Sequence, residues 1–348
     1  MNLSQFRKVV VVLATFTVIA LVPVPFVRLS PGPLFNTIGE ARGAELIEIS
    51  GVATYPTSGQ LNMTTVSETG GPYGQLILFD AVAAWFNPTQ TVIPTSQQYP
   101  NLVDSEQIKA ESRRMFSSSQ ANAIAAALNY LRIPTETVVR VDSVVVGAPA
   151  DGKVEPGDLV LAVNQKSVET SEQVVEFVQA ENAGAEIVLT IKRLDEIFDV
   201  SIISEESQVK PGAASVGVSI GPNVEPPFDI EFGLEDVGGP SAGLMFTLGI
   251  IDELTEKELT HGLKISGTGT ININGQVGPV GGILQKIAAA EKADSDLFLL
   301  PEINCNNFET DSFGDMPVVA INTVEEAVNA IETFATTNSL TGLNTCKK

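Results

Sequence analysis

The sequence predicts an α+β chain of several domains that begins with an apolar helix. Its 348 residues are enough for two or three domains of roughly 100–150 residues each. An uncharged apolar run opens the chain, and two later regions combine short β-rich runs, Gly-rich turns and apolar helices. Hydrophobic residues make up 44% and charged residues 18% of the sequence, which is typical of a folded protein and excludes a wholly disordered one.

The charge balance excludes further classes of protein. There are 42 Asp and Glu against 20 Lys and Arg, a net charge of −22. A nucleic-acid-binding protein needs a basic surface, so no nucleic-acid partner is expected. One His and two Cys are too few for a zinc site built from these ligands. We expect neither a metal nor another cofactor.

The apolar run over residues 9–27 has the length that a transmembrane helix needs. Arg7 and Lys8 precede it, so the positive-inside rule places residues 1–8 in the cytoplasm and the bulk of the protein outside. A cleaved signal peptide and a buried core segment are the alternatives. Pro23 and Pro25 stand where a small-x-small cleavage site would lie, which favours an uncleaved anchor. The expected location is therefore the cell membrane, with a single span.

The two cysteines, Cys305 and Cys346, suggest one disulfide if the bulk of the protein lies outside the cytoplasm. Two free thiols are the alternative. A disulfide would tie the C-terminal tail, residues 336–348, to the last domain.

Residues 28–130 are predicted as a linker followed by an N-terminal α/β region of unknown role. The segment begins with a Pro- and Gly-rich stretch, LSPGPLFNTIG, which is typical of a linker. Residues 105–130 carry Ala and Leu at helical spacing and predict a helix.

Residues 131–205 have the organisation of a small β-rich domain. Two β-rich runs, TVVRVDSVVV and DLVLAV, flank turns at 147–152 and 156–158. The helix that follows begins at Thr170, with Gln173 at capping-box spacing. This order resembles a PDZ domain of the bacterial type. The resemblance implies binding of an extended peptide, often the C-terminus of another protein, at a sheet edge beside that helix. Its groove wall would include Val174, Val175 and Val178, although core packing is the alternative for these valines.

One further motif is discounted. Gly147, Gly152 and Lys153 match the start of a phosphate-binding loop, but Val154 has no hydroxyl group for Mg²⁺. No ATP site is expected there.

Ser241 is the candidate nucleophile. It lies in the run GGPSAG between a predicted strand and an apolar helix. Gly239, Pro240 and Gly243 leave room for a substrate backbone, and amides at a helix N-terminus can stabilise an oxyanion. A serine that only caps the helix is the alternative. The run also fits the G-x-S-x-G elbow of α/β-hydrolases, which would need His261, the only histidine, as the base.

Lys286 is the other candidate base. A lysine activates serine only when it is neutral, which requires an apolar surrounding. The run ILQKIAAA provides few polar neighbours. A solvated helix lysine is the alternative.

The order GGPSAG, GTGTININGQVGPVGG, ILQKIAAA and DLFLLP resembles the proteolytic domain of the Lon family over residues 206–335. The resemblance implies a Lon-like α/β fold with Ser241 as nucleophile, Lys286 as its base and Thr268 beside them. Gly238 stands where several members carry an acid, and Leu284 where many carry a lysine. The resemblance also implies a homo-oligomer, in that family a hexameric ring. Lon proteases carry an ATPase module that this sequence lacks.

Together these observations predict a membrane-anchored, extracytoplasmic serine endopeptidase that needs no ATP. It would cleave flexible or unfolded protein segments, and its PDZ domain would recruit peptides. A catalytically silent PDZ adaptor and, less favoured, an α/β-hydrolase are the alternatives.

Overall fold

A computed structural model of the protein describes residues 3–41, 43–100, 105–193, 196–207, 210–234, 237–307 and 314–346. Its α-helices are α1 Leu3–Ala20, α2 Leu78–Trp85, α3 Thr95–Gln98, α4 Ser105–Tyr130, α5 Ser171–Gln179, α6 Gly243–Glu253, α7 Ile283–Lys292 and α8 Val324–Thr337. Short 3₁₀ helices span Gly71–Tyr73 and Glu302–Asn307.

The strands, in sequence order, are β1 Pro23–Val24, β2 Phe26–Asn36, β3 Glu40–Ala41, β4 Ala44–Glu45, β5 Ile47–Ser50, β6 Gln60–Thr69, β7 Leu76–Ile77, β8 Thr91–Pro94, β9 Glu136–Val144, β10 Leu159–Val163, β11 Lys166–Ser167, β12 Glu186–Arg193, β13 Glu196–Ile203, β14 Glu205–Glu206, β15 Ala214–Ser215, β16 Val218–Glu225, β17 Asp229–Phe232, β18 Lys264–Gly267, β19 Thr270–Ile271, β20 Val277–Gly278, β21 Leu297–Pro301 and β22 Val318–Ile321.

A mixed six-stranded sheet organises the larger unit, in the order β22-β21-β18-β6-β2-β8. The pairs from β22 to β6 are parallel, whereas β2 runs antiparallel to both of its neighbours. Helices cover both faces, which explains why every residue of β21 is buried. Leu297 and Leu299 pack with α6 and α8, while Phe298 and Leu300 pack with α7.

The prediction for residues 28–130 was wrong in one respect. These residues do not form a linker and a separate region, because β2, β6 and β8 supply half of the strands in the large sheet. The helix predicted over residues 105–130 is confirmed as α4, and it packs against α6. The Pro-Gly stretch lies inside β2, where the pairing with β6 shifts register between Pro31 and Leu34.

The smaller unit is a β-sheet with the order β13-β12-β10-β9-β16 and β11 beside β10. It has its own apolar core. The predicted capping box of α5 is confirmed: Thr170 accepts from the Gln173 amide, and the Gln173 side chain accepts from the Thr170 amide. The predicted boundary at residue 205 is too early, because β16 pairs along β9 and closes this sheet. The unit is therefore inserted between strands of the larger sheet.

The N-terminal helix is shorter than predicted. It ends at Ala20, and the predicted span of 9–27 is wrong beyond that residue, because Pro23 and Val24 pair with β7 and β2 begins at Phe26. Nowhere in the described part of the sequence is a helix long and apolar enough to cross a membrane.

The predicted disulfide is confirmed. Cys305, in the 3₁₀ helix Glu302–Asn307, is bonded to Cys346. Cys346 is buried in the small apolar cluster between α7 and β21. The bond therefore ties the C-terminal segment to the edge of the large sheet.

Candidate active site

Ser241 lies in a tight loop that leads into α6, and small residues are what let this loop pack against α4. Gly239 has φ +83, a conformation that favours glycine. A Cβ on Gly238 would overlap Ser112 of α4. The Gly239 amide donates to the Ser112 carbonyl (2.9 Å), and the Ser119 hydroxyl donates to the Pro240 carbonyl (2.9 Å). Two hydrogen bonds to one helix thus hold the loop before Ser241.

A second set of contacts holds the loop from the other side. The Ser241 carbonyl accepts from the Gly269 amide (3.0 Å) and from the Thr268 hydroxyl (3.1 Å). Gly243, the first residue of α6, packs against Ile271 so closely that a Cβ would lie 2.7 Å from that side chain. The predicted supporting residues Gly239, Pro240 and Gly243 therefore act through backbone position and close packing.

Lys286 reaches Ser241 from the first turn of α7. Gly282 caps this helix with φ +67, and Gln285 anchors it by donating to the Thr91 hydroxyl of β8 (2.9 Å). Lys286 Nζ lies 2.8 Å from Ser241 Oγ and 2.8 Å from Thr268 Oγ1. The structure thus brings together the three residues that the sequence singled out.

The surroundings of Lys286 favour its neutral form. Only 3% of the residue is exposed, and Thr268 is fully buried. Burial lowers the pKa of the Lys286 amine to about 7, because a charged ammonium loses its hydration. No carboxylate pairs with this amine among the described residues. A substantial fraction of the amine is therefore unprotonated at neutral pH and can accept a proton.

Thr268 fixes the direction of the amine. A threonine hydroxyl has one proton to donate, and here it is directed to the Ser241 carbonyl. The same oxygen can therefore only accept an N–H from Lys286. With one N–H held in this way, the lone pair of the neutral amine is left free for the Ser241 hydroxyl.

Backbone amides stand beside the nucleophile. Ser241 and Ala242 precede α6 directly, at the positive end of the helix dipole. Neither amide donates to an acceptor within the described ranges. Such amides can stabilise negative charge that develops on a substrate carbonyl oxygen.

The pair opens onto a large cavity with a volume of about 1280 Å³. Its walls come from β2 and β6 on one side and from α4 and the loop before Ser241 on the other. Apolar side chains such as Phe35, Val66, Ile108 and Met115 form much of the lining. The cavity is large enough for several residues of an extended peptide.

Other predicted residues lie elsewhere. His261 is exposed, has φ +50, and does not line this cavity. Its charge interaction is with Asp252, near the opposite end of α6 from Ser241. His261 and Ser241 therefore do not form the arrangement that an α/β-hydrolase needs. Val174 and Val178 are buried in the core of the smaller unit, which contradicts their expected place on a groove wall. Val175, with 43% exposure, is the valine of α5 that faces outward.

The sequence analysis did not identify the site residues that lie before position 131. Ser112 and Ser119 hold the nucleophile loop, and Glu68 and Tyr99 line the cavity. Their sequence neighbourhood carries no catalytic motif. The pairing of β6 with β18 and the packing of α4 against α6 bring this segment beside Ser241.

Comparison with known proteins agrees with this geometry. The family described as Lon protease (S16) C-terminal proteolytic domain matches residues 174–332, and the PDZ domain family matches residues 140–193. These matches support a serine endopeptidase with a PDZ domain.

Individual relatives match parts of the sequence. Lon protease from Campylobacter concisus is 32% identical over 94 residues, which are 26% of this protein and 11% of that one. Lon protease from Desulforamulus reducens is 39% identical over 80 residues, 23% and 9% of the two proteins. The match thus spans about a tenth of the length of these relatives. Among solved structures, the PDZ domain of an SdrC-like protein from Listeria monocytogenes is 19% identical, covers 24% of this protein and 85% of that structure, and has a TM-score of 0.22.

Proposed function

We propose that this protein is a serine endopeptidase in which Ser241 is the nucleophile and Lys286 its general base. The observation that carries the proposal is the 2.8 Å contact between Lys286 Nζ and Ser241 Oγ in a buried site beside a peptide-sized cavity. A serine hydroxyl is a weak nucleophile unless a neighbouring base removes its proton. The neutral amine of Lys286 supplies that base.

The reaction begins when Lys286 Nζ takes the Ser241 proton as Oγ attacks the scissile carbonyl carbon. The oxyanion that forms accepts hydrogen bonds from the Ser241 and Ala242 amides. The tetrahedral intermediate collapses with cleavage of the C–N bond, and the Lys286 ammonium returns its proton to the leaving amine. An acyl ester on Ser241 results.

Water then completes the cycle. Lys286, neutral again, takes a proton from a water molecule that attacks the ester carbonyl. The second intermediate collapses as the Lys286 ammonium gives that proton to Ser241 Oγ, which releases the carboxylic acid and restores both residues. Thr268 keeps the amine directed at the reacting oxygen in both halves, because its hydroxyl donates to the Ser241 carbonyl and therefore accepts from Lys286.

Flexible or unfolded protein segments are the proposed substrates. The cavity is large, has many apolar side chains in its lining, and suits an extended peptide. The PDZ unit is proposed to recruit peptides by strand addition. An extracytoplasmic location is also proposed, supported by the Cys305–Cys346 disulfide, since such bonds persist in oxidising compartments.

The test uses the protein of residues 1–348 and an unfolded protein substrate without ATP, with fragments identified by mass spectrometry. We expect Ser241→Ala and Lys286→Met to abolish cleavage. Matched controls are Ser117→Ala, an exposed serine of α4, and Lys292→Met, at the last residue of α7; both should cleave like the wild type. Unchanged cleavage by Ser241→Ala would overturn the proposal. Peptide binding without cleavage, and without labelling of Ser241 by a fluorophosphonate, would favour the silent adaptor.

A further inference from the structure

Glu68 is a carboxylate in the substrate cavity that the proposed mechanism does not use. Among the residues that the structure describes, three charged side chains line this cavity: Glu68, Glu111 and Lys286. The three differ in whether their charge has a partner. Lys286 is the buried base, and Glu111 forms an ion pair with Arg114 (2.6 Å). Glu68 has no cationic partner among the described residues and is the one carboxylate of the cavity that lacks a counter-ion.

The Glu68 carboxylate is also held in place. The Tyr99 hydroxyl donates to one of its oxygens, and Gln98 Nε2 donates to the other (3.3 Å). Burial and the bond to Glu68 raise the pKa of the Tyr99 hydroxyl, so the tyrosine stays a neutral donor. Each carboxylate oxygen can accept more than one hydrogen bond. The carboxylate is therefore oriented by neutral groups and keeps acceptor capacity for a ligand.

The position of Glu68 along β6 indicates which part of a bound substrate it would contact. A Cβ on Gly282, the residue that caps α7, would meet the Val66 side chain, so Val66 of β6 lies beside the helix that carries Lys286. Glu68 lies two residues further along the strand and on the same face. This spacing is roughly 7 Å along the strand. An extended substrate advances about the same distance in two residues, which places Glu68 beside a substrate residue within a few positions of the cleaved bond.

We propose that Glu68 makes this peptidase selective for substrates with a lysine or arginine side chain near the scissile bond. The cationic group would pair with the Glu68 carboxylate while its alkyl stem lies along the apolar lining. The net charge of −22 assists, since it attracts basic peptides over longer distances. This inference rests on the proposed endopeptidase function and specifies its substrate class.

The test compares quenched fluorescent peptides in pairs. Each pair places lysine or norleucine at one position, scanned from four residues before to four after the cleaved bond. For wild-type protein we expect kcat/KM to favour lysine at least tenfold at one position, with the preference weakening in high salt. Glu68→Gln keeps an acceptor for Tyr99 and Gln98, and should reduce the preference to about twofold. Glu111→Gln, whose parent charge is paired with Arg114, should retain it.

The outcomes are separable. Cleavage of both peptides of every pair at equal rates would overturn the selectivity while leaving the proposed function intact. Equal loss of preference in Glu68→Gln and Glu111→Gln would also overturn it, because the effect would then not belong to Glu68. Failure of wild-type protein to cleave any peptide or unfolded protein would instead contradict the proposed function. With a glutamate peptide added at the preferred position, a shift of preference from lysine to glutamate in Glu68→Lys would support the direct pairing.

Discussion

The pH dependence of cleavage tests the central feature of the site, a lysine that is about half neutral near pH 7. The perturbation is pH itself, varied from 5 to 10. Burial lowers the pKa of Lys286 from 10.5 to about 7. At pH 7 about half of the molecules then hold the neutral amine, against roughly one in 3,000 for an ordinary lysine. The local structure therefore raises the reactive fraction by about three orders of magnitude.

This titration gives a definite profile. Between pH 5 and pH 8 the neutral fraction of Lys286 rises from about 1% to about 90%, so kcat/KM should rise nearly a hundredfold and then level off. The assay is cleavage of a quenched fluorescent peptide. The rate at which a fluorophosphonate labels Ser241 gives an independent readout, since it needs the same proton transfer without a peptide. An increase that continues tenfold per pH unit up to pH 10 would refute the reasoning, because it would show a solvated lysine. A flat profile would refute it too.

Three further outcomes are expected. Lys286→Met should raise the free energy of unfolding in urea, by an upper limit of about 5 kcal/mol below pH 7. Because the folded-state pKa of Lys286 lies below 10.5, the unfolded wild type binds more protons than the folded one between about pH 7 and pH 10.5. Wild-type stability therefore rises across that window, and the advantage of the Met variant should disappear near pH 10.5. Thr268→Val should lower kcat roughly tenfold or more and leave KM nearly unchanged, whereas Thr268→Ser, which keeps the hydroxyl, should retain most activity. Replacing both cysteines by serine should lower the free energy of unfolding by about 4 kcal/mol in the chain-entropy description of a loop closed over 41 residues, and an unchanged urea midpoint would contradict that figure.

The chemistry of the site could be predicted from sequence because its residues lie in short local patterns. Ser241 follows two glycines and a proline that only a tight loop would use, and Lys286 lies in a helix start with few polar neighbours. The place of Thr268 came from the resemblance to a known family. The distances among the three could not be predicted, since they depend on how α7, β18 and the loop before α6 meet in space.

The rest of the site was hidden by misleading local signals. Pro31, Gly32 and Pro33 predict a linker, yet they lie inside β2 at a register shift, where Gly32 packs against Thr65 and the Pro33 carbonyl accepts from the Thr65 hydroxyl (2.7 Å). Pairings across long sequence separations, such as β6 with β18, leave no periodic pattern in the sequence. The predicted end of the PDZ unit at residue 205 was too early for the same reason, because its last strand, β16, pairs back to its first strand, β9.

The insertion of the PDZ unit leads to a prediction about truncation. A fragment of residues 206–335, the extent implied by the family resemblance, would lack β2, β6 and β8, and β18 would lose its partner along one edge. It would also lack α4, and with it the Ser112 carbonyl and the Ser119 hydroxyl that hold the loop before Ser241. Buried apolar residues of α6 would be exposed where α4 packs.

We therefore expect this fragment to aggregate or to lack cooperative unfolding, and to cleave nothing. A matched deletion of residues 136–225, with a short Gly-Ser linker joining α4 to β17, removes the PDZ unit instead and leaves the large sheet complete. This variant should fold and react with a fluorophosphonate at Ser241. Reaction by the fragment but not by the deletion variant would show that the segments before the PDZ unit are dispensable for the site, against the packing described above.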